Sequence, residues 1–271
     1  MVLEARRPSR WRTAVISLAI SVLALLAIGA VAFAVGQRHG QIGPDDWRPL
    51  VPTAEVSPTP SLLPLSDVAR DALGRVVTVE VIRDGAQALG TGWLLDDAGD
   101  FVTNAHVVQS ERGVRIRDRA GHTHIGRIVG TDREQDLAVI RSTDGFSGVA
   151  LPVHRGPLTV PQDVVMISAS RATGHEDVIT DRMARIHVDV PVRGNPDIDP
   201  TIGTTTVVYR DMLGLDGARI YSGNSGGPVL DPRGRVIGIV TLASRAAPQA
   251  FAIPIARVID QLTAMARQPV A

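Results

Sequence analysis

The segment Tyr221-Ser222-Gly223-Asn224-Ser225-Gly226-Gly227-Pro228 crowds three glycines around one serine. Glycine adopts backbone conformations that other residues resist, and it lets a bound chain approach closely. Consecutive N–H groups in such a segment can converge on a developing negative charge. Ser225 is therefore a candidate nucleophile, although a glycine-rich turn with a capping serine would read the same way in isolation.

A serine nucleophile needs a base, and the base needs an orienting acid. The seven histidines stand at 39, 106, 122, 124, 154, 175 and 187. Gly223-Asn224-Ser225-Gly226-Gly227 also fits the nucleophile elbow of α/β-hydrolases, but those enzymes place the histidine last. No histidine follows Ser225, so that architecture is excluded. His106, in Phe101-Val102-Thr103-Asn104-Ala105-His106-Val107-Val108, ends a predicted strand, where a rigid scaffold presents a side chain. Asp136, ahead of Leu137-Ala138-Val139, enters an apolar strand with its carboxylate beside the core. Alone, the histidine reads as a packed side chain and the aspartate as a turn cap. Together, His106, Asp136 and Ser225 follow the His–Asp–Ser order of chymotrypsin-type enzymes.

Four motifs then fall in register: Gly90-Thr91-Gly92-Trp93-Leu94-Leu95, Thr103-Asn104-Ala105-His106-Val107-Val108, Asp136-Leu137-Ala138-Val139 and Gly223-Asn224-Ser225-Gly226-Gly227-Pro228. They resemble the HtrA (Deg) branch of the chymotrypsin-fold serine proteases, as does Phe251-Ala252-Ile253-Pro254 before a C-terminal helix. The resemblance covers roughly residues 70–265. It implies an all-β fold, a chymotrypsin-like double antiparallel β-barrel with the active site between the barrels. It also implies peptide-bond hydrolysis outside the cytoplasm through an acyl-enzyme, in protein quality control or envelope processing. Ser225 would attack the scissile carbonyl, His106 would shuttle the proton, and Asp136 would hold the imidazole in the right tautomer. The N–H groups of Gly223 and Ser225 would form the oxyanion hole, each donor contributing roughly 3–4 kcal/mol in measured systems. No cofactor or metal is needed. An unperturbed histidine titrates near ~6.5, so activity should fall on the acid side of neutrality. The alternative is a catalytically silent protease-fold module that binds peptides, against which the complete triad argues.

Three features depart from the branch. Few residues follow the C-terminal helix, which leaves no room for a PDZ domain and puts PDZ-based regulation in doubt. Asn224 stands where digestive proteases carry an aspartate that pairs with a newly cut N-terminus, so zymogen activation is not implied. Aromatic contacts that build the family's trimers are scarce near the start of the domain, so a homotrimer is held only as an expectation. By position relative to Ser225, Ile220, Thr241 and Ala243 would line the primary substrate pocket and favour small or medium aliphatic residues. Arg219 offers a second reading, selection of acidic side chains.

The elements that must position these residues are short strands. Val76–Val81, Gly92–Leu95, Phe101–Thr103, Val114–Arg117, Leu137–Ile140, Val164–Ile167, Val229–Leu230 and Val236–Val240 are apolar or alternating runs separated by turn signals. Asp97-Ala98-Gly99-Asp100 reads as a hairpin turn. Asp67–Leu73 and Pro254–Met265 have helical spacing, the latter with Ile255, Val258, Ile259 and Leu262 on one face. Many strands and few helices fit barrels rather than alternating βαβ units. Aromatics are 3% of the 271 residues, so aliphatic side chains must build the core.

Residues 13–37 contain no charged residue, and Arg6, Arg7, Arg10 and Arg12 precede them. Such a stretch is long enough to cross a bilayer as one transmembrane helix, with residues 1–12 in the cytoplasm and the remainder outside. Ala32-Phe33-Ala34 keeps open a cleaved secretory signal, although that signal's apolar core is ordinarily shorter. Residues 38–65, with six prolines, read as an extended tether. That leaves 66–265 as the protease domain and 266–271 as a tail. Expected partners are polypeptide substrates and the membrane through residues 13–37.

Charge and composition exclude other classes. Basic and acidic residues balance at 28 each, which argues against nucleic-acid binding. Cysteine is absent, which excludes disulfides, thiol nucleophiles and thiolate metal sites. His122 and His124 share a strand face, but no third metal ligand is near, so a solvated edge is the expectation. Arg112, Arg115, Arg117 and Arg119 form a basic cluster, read as an exposed strand balanced by Glu111 and Asp118.

Overall fold

A computed structural model describes residues 63–83, 86–146, 148–169, 176–193, 206–217, 220–221, 223–244 and 248–269. The expected spanning segment at 13–37, nearly all of the tether, and Arg219 lie outside them. Among the described residues no helix is long and apolar enough to cross a membrane.

Strands β1 (Val76–Arg83), β2 (Ala86–Leu94), β3 (Asp100–Thr103), β4 (Gly113–Arg117), β5 (Thr123–Asp132) and β6 (Leu137–Ser142) close a first antiparallel barrel in the order β1-β2-β3-β6-β5-β4. Strands β7 (Gln162–Ala169), β8 (Glu176–Arg193), β9 (Thr206–Asp216), β10 (Pro228–Leu230), β11 (Val236–Ala243) and β12 (Gln249–Pro254) close a second, in the order β10-β11-β12-β9-β8-β7. Closure removes the open edges within each barrel, while the ribbon of Val188–Arg193 in β8 and Thr206–Met212 in β9 extends past the second barrel with each strand paired on one side among the described residues.

Side-chain alternation explains why several strands read as unbroken apolar runs. Along β7, Val164 and Met166 enter the second barrel's interior, while Val165 and Ile167 face a separate core between the barrels. In β6, Leu137 and Val139 join that same central core, and Ala138 and Ile140 fill the first barrel. A strand buried on both faces has no polar side to show. By contrast, β4 faces solvent on one side and alternates strictly, with only Val114 and Ile116 buried.

Among the described residues the strands are accompanied by three α-helices: α1 (Leu65–Ala72), α2 (Ala105–Val108) and α3 (Ile255–Ala266). Helix α1 starts two residues before the expected Asp67, because the carbonyl of Pro64 accepts from the N–H groups of Asp67 and Val68. Leu65 thus belongs to the helix rather than the tether. Helix α3 buries the anticipated Ile255, Val258, Ile259 and Leu262 in the central core. Burial stabilises each by about 1.5–3 kcal/mol. Arg141 of β6 clamps its far end: the guanidinium holds Asp100 through Nε at 2.8 Å and Nη2 at 2.9 Å, and also donates to the carbonyls of Ala266 and Gln268. The hydrogen bonds to Asp100 outweigh burial and keep Arg141 firmly charged.

Candidate active site

His106 stands in a single helical turn that begins where β3 ends. Gly90 lets that turn pack closely, since a Cβ there would lie 2.4 Å from Cγ1 of Val107. Asp136 ends the turn between β5 and β6 with φ +58°. Aspartate tolerates that region because its short side chain can bond to nearby backbone. Oδ2 of Asp136 lies 2.8 Å from Nδ1 of His106, and Oδ1 accepts from the His106 N–H at 2.9 Å. A carboxylate only accepts, so the Nδ1 proton faces Asp136 and Nε2 is the nitrogen that can take a proton. The carboxylate is 3% exposed and the imidazole 34%.

Asn104, also buried, donates through Nδ2 to the carbonyl of Asp136 at 2.9 Å and to Oγ1 of Thr241 at 3.0 Å. Thr241 belongs to the other barrel. The β11–β12 register shifts at this point, so Thr241 sits in a bulge between Val240 and Leu242. Its hydroxyl also donates to the carbonyl of Ile239 at 3.1 Å.

The Ser225 segment is pinned on both sides. Gly223 has φ +109° and Gly226 φ +89°, conformations that favour glycine. A Cβ on Gly226 would fall 2.1 Å from the carbonyl oxygen of Thr91. Asn224 is buried: Oδ1 accepts from the Tyr221 N–H at 2.6 Å, and Nδ2 donates to the Ser168 hydroxyl of β7. The N–H groups of Asn224, Gly226 and Gly227 are bonded to the carbonyls of Tyr221, Val240 and Asn224. Among the described residues, those of Gly223 and Ser225 make no such bond.

Thr91 of β2 joins this segment to the first barrel. Its N–H donates to the Ser225 carbonyl at 2.8 Å, and its hydroxyl donates to the Gly223 carbonyl at 2.8 Å. The Thr91 carbonyl in turn accepts from the Thr103 hydroxyl at 2.7 Å. Thr103 is one residue from Asn104 and three from His106. The two halves of the site are therefore registered by Thr91, Thr103 and Asn104, none of which sequence reasoning assigned a role. Their signal was their place: each lies inside or beside a motif already singled out.

The other candidates are placed as follows. Ile220 is half-buried against the second barrel's core, Thr241 is buried, and Ala243 is exposed opposite Ala250. His122 precedes β5 and bonds Asp118, whereas His124 is 19% exposed, lies 3.3 Å from Asp144 and stacks edgewise on Phe146. His124 is thus tucked under a ring rather than set on a solvated edge. In the basic cluster, Arg115 and Arg117 pair with the buried Glu80 of β1, and not with Glu111 or Asp118.

The trypsin-like peptidase domain model matches residues 90–239. The chain belongs to this family. Among trypsin-like peptidase relatives, HhoA of Synechocystis sp. is 35% identical over 167 residues, covering 61% of this chain and 40% of its own. Serine protease HTRA1B of Danio rerio is 29% identical over 196 residues, covering 70% and 39%. These are proteins of the HtrA branch that the four motifs resemble. The chain spans about two fifths of their length. The fold is also that of the Rv3671c protease of M. tuberculosis in its active form, with a TM-score of 0.64 at 24% identity over 86% of this chain and 97% of that one.

Proposed function

We propose that the chain is a serine endopeptidase of the HtrA type that cleaves polypeptides through an acyl-enzyme. The observation that carries this reading is the double hold of Asp136 on His106, set against a Ser225 segment whose Gly223 and Ser225 N–H groups have no backbone partner among the described residues. Ser225 Oγ attacks the scissile carbonyl, and Nε2 of His106 takes its proton and passes it to the leaving amine. Asp136 stabilises the imidazolium that forms. The N–H groups of Gly223 and Ser225 bind the oxyanion.

The same reading assigns Ile220, Thr241 and Ala243 to the neighbourhood of the substrate's side chain. Residues 13–37 hold the chain in the cytoplasmic membrane, with the protease domain outside and substrates among unfolded or envelope proteins. A homotrimer is the proposed assembly.

The test is hydrolysis of unfolded casein by the full chain beside Ser225→Ala. Loss of the nucleophile should cost on the order of a million-fold in turnover, as it does in subtilisin. Equal activity in the two proteins would sink the assignment of Ser225. Silence in the wild-type chain would favour the binding module.

A further inference from the structure

Behind the loops that carry His106 and Asp136 lies a cleft of about 480 Å³. One wall is the segment leaving α2, from Gln109 to Arg112, and the other is β5 with the turn beyond it, from Arg127 to Arg133. Gln109 is three residues past His106, and Arg133 is three residues before Asp136. A hydrogen bond from Nη2 of Arg133 to the Gln109 carbonyl, at 3.5 Å, joins the walls.

Three exposed guanidinium groups, those of Arg112, Arg127 and Arg133, line this cleft. The neighbouring Arg115 and Arg117 are engaged by Glu80, and Arg141 by Asp100. Arg112, Arg127 and Arg133 form no ion pair with a carboxylate among the described residues. Glu111 is the one acidic side chain lining the cleft. Three cations against one carboxylate in a concave space attract an anion, and guanidinium geometry suits carboxylates in particular.

We infer that this cleft is an exosite for an acidic segment of the polypeptide substrate. The inference rests on the endopeptidase reading. An acidic peptide is favoured over an anionic membrane surface because the walls of the cleft are continuous with the loops bearing His106 and Asp136. A segment seated there is bound by residues three positions from His106 and three from Asp136. Occupancy raises the local concentration of susceptible bonds without touching the reacting atoms.

The experiment uses the full-length Ser225→Ala chain, which leaves a bound probe intact, and a fluorescein-labelled oligoglutamate read by anisotropy. Binding is expected at low salt and should weaken at high salt, as exposed charges are screened. Replacing Arg112, Arg127 and Arg133 together by Gln should weaken it about tenfold, a loss of about 1.4 kcal/mol. Arg127→Gln alone should give a smaller loss, and Arg127→Lys should restore most of it, which keeps the test valid if the triple variant unfolds. In the Ser225 background the same substitutions should raise KM for acidic substrates and leave kcat nearly constant.

Absence of oligoglutamate binding, or binding that the Gln variants leave unchanged, overturns the inference. Tighter binding to vesicles of equal phosphatidylglycerol and phosphatidylcholine, lost in the same variants, also overturns it and assigns a lipid site. Silence toward casein with oligoglutamate binding intact would instead count against the endopeptidase reading and leave an acidic-peptide site.

Discussion

Asp136 grips His106 at two points, ring and backbone: Oδ2 lies 2.8 Å from Nδ1, and Oδ1 accepts the main-chain N–H at 2.9 Å. The ring bond sets the tautomer, and the backbone bond fixes the position of the helical turn that carries the ring.

Asp136→Asn separates these roles. The amide oxygen can keep the backbone bond, while the NH₂ group faces Nδ1 and forces the wrong tautomer. Turnover should drop about 10⁴-fold, the loss seen for this change in a triad protease, with little change in thermal midpoint. Casein hydrolysis and thermal unfolding, measured together, check this. Activity within tenfold of wild type would remove Asp136 from the orienting role.

Gly226→Ala should damage both stability and activity. The added carbon meets the Thr91 carbonyl at 2.1 Å and the Thr103 hydroxyl at 2.4 Å, at a backbone angle that disfavours side chains. Both contacts belong to the bridge between Ser225 and the first barrel. Overpacking of this kind costs about 1–3 kcal/mol, and displacement of Ser225 adds a loss in kcat. Urea unfolding and kcat of the purified variant measure the two effects. A variant as stable and as active as wild type would show that the bridge does not position the serine.

Acid should weaken the fold through Asp132. Burial pushes this carboxyl up, but the Gln135 N–H, the Gln261 and Gln135 side-chain amides and the Glu134 N–H outweigh it, so the group sits below its ordinary 3.8. A depressed folded value means stability that is present above 3.8 and is lost as pH falls through the folded value. Urea unfolding at neutral pH and below pH 3.8 should show a smaller acid loss in Asp132→Asn than in wild type. An equal loss would mean that Asp132 is not linked to folding.

Much of this was legible because the motifs carry their own geometry. His106, Asp136 and Ser225 could be proposed as a set by chain order, and the buried strands by apolar runs such as Val164–Ile167. The long strands β8 and β9 left no such mark. In β8 only Met183 is buried among the described side chains, and charged Asp181, Arg182, Arg185 and Asp189 decorate both faces. Pairing with β9, from Met183↔Leu215 to Arg193↔Thr206, holds it instead, and backbone pairing leaves little trace in hydropathy. Thr91 was hidden for a related reason. A threonine between two glycines announces a tight backbone, but not which distant carbonyls it will meet.

The clamp of α3 on the first barrel has a consequence for biosynthesis. Asp132 of the first barrel bonds Gln261, 129 residues later in the chain, and Arg141 meets carbonyls beyond it. A ribosome releases the first barrel long before it makes that helix. Until α3 emerges and docks, the turn ending in Asp136 lacks one of its holds. The nascent chain therefore carries His106 and Asp136 in an unfinished frame until that helix has been synthesised.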